Sequence, residues 1–179
     1  MELILVRHPR PLAAEGICYG RSDLAVAPDE LLRVHAALRA SLPDDAPVFS
    51  SPLRRCAALA RLLSSRPSFD ARLAEMDFGA WEQRSWNAIP RAEVDAWADD
   101  LLEYRPGGGE TIMEVAQRVN AAMDDILRSA ADKVVVVCHA GTMRLLATLV
   151  QGLPLGEAAL AAAAAPHRIG YGEVLRLDA

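Results

Sequence analysis

The chain has 179 residues, 52% hydrophobic and 24% charged, with a formal net charge of −5. Such values are typical of a single folded domain with its own core and exclude a disordered chain. Because an acidic protein repels polyanions, we expect no nucleic-acid partner.

Short, continuously apolar runs predict the strands: in chain order ELILV, PVFS and KVVVVC, with YGEVLRL as a candidate last strand. Since these runs do not alternate polar and apolar residues, both faces of each strand should be buried. Helical patterns lie between them. Alternating strands and helices predict a three-layer α/β/α sandwich with a mostly parallel central sheet, formed as one domain over residues 1–179.

Two helices have recognisable start signals. Thr111 and Glu114 form a capping box ahead of apolar residues at three- and four-residue spacing. In SSPLRRCAALARLL, Ser51 is predicted as the N-cap and Pro52 as the first helical residue.

No apolar stretch is long enough to cross a membrane. The most apolar one, LLATLVQGLPLGEAALAAAAAP, is interrupted by Gln151, Pro154 and Glu157, and we interpret it as core. The first apolar run is too short for a signal peptide. Three widely spaced cysteines fit neither a disulfide framework nor a metal site. We therefore expect a cytoplasmic protein without a membrane partner.

Histidines and arginines follow three predicted strands. His8 comes after the first, Arg55 after the second and His139 after KVVVVC. In a parallel sheet, ligands bind beyond the carboxyl ends of the strands, where these side chains should converge. Arginine matches phosphate oxygens and a neutral imidazole can attack phosphorus, so the pattern predicts phosphoryl transfer. An acid for the leaving group could come from Glu75, Asp77 or Glu82 in AEMDFGAWEQ.

Five motifs carry a resemblance to a known family. RH, SPLRR, EMDFGAWE, PGGGET and HAGTMR occur in the order and context of the histidine phosphatase superfamily, also called phosphoglycerate-mutase-like. GICYGRSDLAVAP resembles the alpha-ribazole phosphatase branch. The resemblance implies a phosphomonoesterase that needs neither metal nor cofactor and works through a phosphohistidine. It implies alpha-ribazole 5′-phosphate, in cobalamin biosynthesis, as the expected substrate.

The resemblance also assigns roles. His8 is the nucleophile, Glu75 the general acid with Glu82 as the alternative, and His139 a donor to phosphate oxygens; Arg7 and Arg55 bind the phosphate. Candidate substrate contacts are Arg10, Arg21, Glu82 and Gly141. For Arg10 and Arg21, a solvated side chain is the equally weighted alternative.

One departure affects the predicted nucleophile. The family usually has RHG where this chain has RHP, and Pro9 lacks an N–H with which to bind phosphate. A weaker pocket, or a degenerate protein that binds a phosphorylated ligand without turnover, is therefore an alternative. Another alternative is a phosphatase of a different small ester, such as a sugar phosphate, a phosphoglycerate or a nucleotide.

Residues from about 76 to about 110 are expected to form a capping insertion over the site. Trp81, Trp86 and Trp97 lie in it and either pack inside the protein or stack on a flat ligand. His35 and His167 lie away from every motif and are interpreted as structural or surface residues. The expected partner is a small phosphorylated substrate; a homodimer is compatible with the sequence, which identifies no surface for it.

Overall fold

A computed structural model describes residues 1–129 and 131–179. Its strands are β1 (Glu2–Arg7), β2 (Val48–Ser50), β3 (Ser68–Phe69), β4 (Lys133–Cys138) and β5 (Val174–Asp178). Its α-helices are α1 (Pro28–Arg39), α2 (Arg54–Leu63), α3 (Arg91–Asp99), α4 (Ile112–Leu127), α5 (Ala140–Leu149) and α6 (Leu155–Ala164). Short 3₁₀ turns lie between β3 and α4.

The five strands form one sheet in the order β3-β2-β4-β1-β5. The first four are parallel to one another, and β5 runs antiparallel to β1. In the β1–β4 register, Arg7 lies beside Cys138. The two residues that follow these strands, His8 and His139, therefore leave the sheet side by side.

Helices cover both faces of the sheet, which confirms the predicted α/β/α layers. Alternate residues of β1 and β4 pack against α4, α5 and α6 on one face. The intervening residues pack against α1 and α2 on the other. The continuously apolar strands are thus explained by burial on both faces. None of the helices in the described parts of the chain is long and apolar enough to cross a membrane.

The helix starts agree with the sequence in one case and differ in the other. Thr111 and Glu114 form the predicted capping box at the start of α4. The prediction of Ser51 as the N-cap of α2 is wrong, because Leu53 occupies that position. The Ser51 hydroxyl instead lies 2.8 Å from a ring nitrogen of His139. Ser51 therefore contacts a buried histidine instead of capping the helix.

Candidate active site

His8 is held in one tautomer by two hydrogen bonds. Its side chain follows β1 and is 2% exposed. Nδ1 lies 2.7 Å from the carbonyl oxygen of Pro9, and Nε of Arg55 donates to Nε2 at 3.3 Å. A carbonyl can only accept and a guanidinium can only donate. The proton therefore belongs on Nδ1, which leaves the lone pair of Nε2 available as a nucleophile.

Pro9 fits this arrangement without a backbone N–H. The group that His8 uses is the carbonyl of Pro9, which proline retains like any other residue. The RHP sequence therefore preserves the hydrogen bond that orients His8.

Burial and neighbouring arginines keep both active-site histidines neutral. Burial, and then the positive charge of Arg55, hold the pKa of His8 well below its ordinary value. The same two causes, in the same order, lower the pKa of His139 well below its ordinary value. A neutral imidazole is the form that can attack phosphorus.

Two arginines lie beside His8, each held by a different loop. Nη1 of Arg7 donates to the carbonyl of Ile169 at 2.5 Å, and its buried Nε has no protein partner within the described residues. Arg55, fully buried, donates to the carbonyls of Gly20 at 2.5 Å and Ser22 at 2.7 Å. These bonds leave N–H groups on both guanidinium groups free for phosphate oxygens.

Glu75 is positioned by the start of α5. The backbone N–H of Gly141 donates to Oε2 at 3.0 Å, and the N–H of Met76 donates to Oε1 at 3.1 Å. A Cβ at residue 141 would overlap the Glu75 carboxylate. The glycine is thus needed for the approach of Glu75, which lies with Gly141 on the cavity wall.

His139 lies behind His8, and is not among the residues that line the cavity. Its ring centroid is 5.1 Å from that of His8, and its side chain is fully buried. Nε2 lies 2.8 Å from the hydroxyl of Ser51 and 3.5 Å from the thiol sulfur of Cys56. Its predicted donation to phosphate stays a prediction.

A cavity of about 750 Å³ includes His8 in its wall. This volume is within the roughly 300–1,000 Å³ usual for small-ligand sites. Its polar lining includes Arg7, His8, Arg55, Glu75 and Arg144. Its aromatic lining includes Phe78, Trp86 and Trp97. The cavity therefore joins a cluster of charged side chains to an apolar space.

The three tryptophans have different environments. Trp81 is fully buried and its indole N–H donates to Glu93 at 2.6 Å, in agreement with the packing interpretation. Trp86 and Trp97 line the cavity with their rings nearly parallel, 7° apart, and centroids separated by 6.5 Å. Only these two are placed to contact a ligand.

Of the predicted substrate contacts, Arg10 and Gly141 line the cavity, whereas Arg21 and Glu82 do not. The guanidinium of Arg21 lies 3.7 Å from the Asp77 carboxylate. Glu82 accepts hydrogen bonds from the N–H groups of Gly20, Arg21, Ser22 and Phe78, and from the Ser22 hydroxyl. These two residues therefore lie outside the cavity wall, unlike the prediction. Arg21 is paired with acidic side chains, and Glu82 accepts hydrogen bonds from nearby backbone N–H groups.

The hydrogen bonds of Glu82 also keep it ionised. Burial raises its pKa, but the Ser22 hydroxyl and surrounding backbone N–H groups outweigh burial and hold the pKa below its ordinary value. Such a carboxylate is a poor proton donor at neutral pH. Glu75 is consequently the better placed of the two candidate acids.

Several cavity residues were not predicted from the sequence. Arg144 lies four residues after Ala140 on α5, so the two residues share a helix face. This spacing in HAGTMR could have predicted that Arg144 faces the cavity. Tyr19, Tyr171 and the exposed His167 also line the cavity. No sequence motif around Tyr171 or His167 predicts their place in the cavity wall. They reach it because the chain returns past the site before it enters β5.

Comparisons with known proteins agree with the five motifs. The family model described as "Histidine phosphatase superfamily (branch 1)" matches residues 3–168. The chain is 27% identical over 162 residues to "Putative phosphoserine phosphatase 2" of Hydrogenobacter thermophilus, covering 86% of this chain and 80% of that protein. It is 28% identical over 165 residues to "Probable phosphoglycerate mutase GpmB" of Salmonella paratyphi C, covering 86% and 76%.

A solved structure is similar over almost the whole chain. The crystal structure of the alpha-ribazole phosphatase from Shigella flexneri superposes with a TM-score of 0.81 at 26% identity. The superposition covers 99% of this chain and 90% of that one.

Proposed function

The chain belongs to the histidine phosphatase superfamily and is a phosphatase, and on that premise we propose that it hydrolyses phosphate monoesters through a phosphohistidine formed on His8. The observation that carries this proposal is the fixed tautomer of His8. Its Nδ1 is bonded to Pro9, and its Nε2 is the free base beside Arg55 in a cavity wall that also holds Arg7.

In the first step, Nε2 of His8 attacks phosphorus and the bond from phosphorus to the ester oxygen breaks. Arg55 exchanges its bond to Nε2 for bonds to the phosphoryl oxygens, and Arg7 provides further donors. Glu75, protonated in this step, gives its proton to the departing alkoxide. The proton on Nδ1 remains in its bond to Pro9.

In the second step, water replaces the alcohol. Glu75, now a carboxylate, accepts a proton from the water as its oxygen attacks phosphorus. The nitrogen–phosphorus bond breaks, inorganic phosphate leaves, and both His8 and Glu75 return to their starting protonation states. Two arginines offset the phosphate charge throughout, so the mechanism requires no metal ion.

Alpha-ribazole 5′-phosphate is the substrate that we propose, as part of cobalamin biosynthesis in the cytoplasm. Its flat benzimidazole matches the aromatic lining formed by Phe78, Trp86 and Trp97 beyond the charged end of the cavity. A phosphatase from Shigella flexneri with that substrate in its name supports the proposal. A phosphatase of another small ester is the alternative, supported by the relative named for phosphoserine.

The test is phosphate release in EDTA from alpha-ribazole 5′-phosphate, phosphoserine, 3-phosphoglycerate and p-nitrophenyl phosphate, for the native protein and His8→Ala. The proposal expects the highest kcat/KM for the ribazole ester and no turnover by the variant. Trp86→Ala should lower kcat/KM for the ribazole ester more than for phosphoserine, which has no ring to stack.

Three results would contradict parts of the proposal. Equal turnover of all four esters would overturn the substrate assignment and leave the phosphatase. Activity retained by His8→Ala would overturn the mechanism. Phosphate binding without any turnover would favour the degenerate binding protein.

A further inference from the structure

Two tyrosines connect the loops that hold the two phosphate-binding arginines. The hydroxyl oxygens of Tyr19 and Tyr171 lie 2.6 Å apart, although the residues are 152 positions apart in the chain. Both side chains line the cavity. This hydrogen bond joins the loop before α1 to the loop before β5.

Tyr171 contacts Arg7 directly. The guanidinium carbon of Arg7 lies 4.0 Å from the centroid of the Tyr171 ring, well within the range of about 6 Å for a cation–π interaction. The same loop supplies the Ile169 carbonyl that accepts from Arg7. The backbone N–H of Gly172 donates to the Arg7 carbonyl at 3.1 Å. The loop from 169 to 172 therefore contacts Arg7 in three ways: the Tyr171 ring and the Ile169 carbonyl contact its guanidinium group, and the Gly172 N–H donates to its backbone carbonyl.

Tyr19 has the corresponding position on the other loop. The guanidinium carbon of Arg55 lies 5.4 Å from the Tyr19 ring centroid. Arg55 also donates to the carbonyls of Gly20 and Ser22, which follow Tyr19 in the chain. The hydroxyl pair thus fixes the distance between the loop holding Arg7 and the loop holding Arg55.

We propose that Tyr171, hydrogen-bonded to Tyr19, is a positioning residue that keeps Arg7 and Arg55 at the separation a phosphoryl group requires. The proposal rests on the proposed function in that both arginines bind phosphate. The centroid of the Tyr171 ring lies 5.7 Å from that of the His8 ring, so the tyrosine pair is next to the proposed nucleophile. The tyrosine pair holds the two arginines in place before the substrate binds. Less side-chain entropy is therefore lost on binding.

The test measures binding of inorganic phosphate by calorimetry, together with kcat and KM. Tyr171→Leu, which removes the ring and the hydroxyl, should weaken phosphate binding by about tenfold to thirtyfold. Tyr104→Phe is the control for loss of a tyrosine hydroxyl outside the site, since Tyr104 packs in the aromatic cluster around Trp81 and is not part of the cavity wall. It should bind phosphate as the native protein does.

A double-mutant cycle tests the hydroxyl pair with minimal change of shape. Tyr19→Phe and Tyr171→Phe should each weaken phosphate binding by about fivefold or less, the value of one hydrogen bond. The double variant should lose no more than either single variant, because both changes remove the same bond. In the two single variants and the double variant, KM should rise by a larger factor than kcat falls.

Two results would overturn the proposal. One is native phosphate affinity in folded Tyr171→Leu. The other is a double variant whose losses add, which means that the hydroxyls act independently. A native protein that binds phosphate but turns over no ester would overturn the proposed function alone, and the tyrosine variants would still decide the positioning role by calorimetry.

Discussion

The backbone N–H of Gly141 donates a 3.0 Å hydrogen bond to Oε2 of Glu75, and residue 141 has no room for a Cβ beside that carboxylate. A glycine at the start of α5 therefore sets the position of an acid that lies 66 residues earlier in the chain. The helix after β4 thus positions the residue that we propose as the general acid.

Gly141→Ala should displace Glu75 and reduce turnover. Because general acid catalysis contributes about 10²–10⁴-fold, we expect kcat for an alkyl phosphate ester to fall by about 10²-fold or more. Turnover of p-nitrophenyl phosphate should fall less, since its leaving group needs little protonation. Ala140→Gly, one residue earlier, is the control and should retain activity. Equal losses on both esters in Gly141→Ala would contradict the assigned role of Glu75.

Replacing each candidate acid by glutamine distinguishes a catalytic role from a structural one. Glu75→Gln should lower kcat by about 10²–10⁴-fold, with a smaller loss in the free energy of unfolding than Glu82→Gln, because Glu75 accepts fewer hydrogen bonds than Glu82. Glu82→Gln should instead lower that free energy by about 1–3 kcal/mol, because an amide cannot accept all the hydrogen bonds that the carboxylate accepts. Urea unfolding and steady-state kinetics measure both effects. If Glu82→Gln lost activity and Glu75→Gln did not, the two roles would be reversed.

Restoring the family's usual residue at position 9 should have little effect. Pro9→Gly keeps the carbonyl that accepts from Nδ1 of His8, so we expect kcat/KM to change by less than about fivefold. A glycine makes the unfolded chain more flexible, and stability should fall by about 1 kcal/mol. A large gain in activity would instead show that proline impairs the site through its missing N–H.

Stability should decrease as the pH falls through the ordinary titration range of histidine. His8 and His139 stay neutral in the folded protein, with pKa values held well below the ordinary value, mainly by burial. Below about pH 6.5 the unfolded chain takes up protons at these residues and the folded protein does not. Each such histidine lowers the free energy of unfolding by up to about 1.4 kcal/mol per pH unit.

Urea unfolding at pH 7.5 and 5.5 checks this dependence. His139→Gln should show a shallower loss over the same interval, since one of the two buried neutral histidines is absent. An unchanged pH dependence in that variant would mean that other groups cause the loss.

The parts of the fold predicted from the sequence are those with local signals. The apolar run ending at Arg7 and the capping box at Thr111 were both predicted and found. Because β1 and β4 are parallel neighbours, placing His8 and His139 at their ends was enough to bring the two histidines together. The two-residue strand Ser68–Phe69 was missed, since so short a segment has no periodicity.

The features that were missed depend on contacts between distant segments. Ser51 has the sequence of a helix cap, but its hydroxyl is next to His139, which is 88 residues away. Tyr171 reaches the cavity only because β5 pairs antiparallel with β1 and its preceding loop returns to Arg7. Glu82 is surrounded by backbone N–H groups of a loop 60 residues earlier. Sequence patterns contain no direct information on such pairings.

We propose that His8 carries the phosphoryl group, and rapid-quench labelling with radioactive alpha-ribazole 5′-phosphate in EDTA is the decisive experiment. We expect an acid-labile, base-stable phosphoprotein that forms within one turnover and is absent from His8→Ala. Labelling that persists in His8→Ala, or turnover without any labelled protein, would mean that His8 is not the phosphoryl carrier.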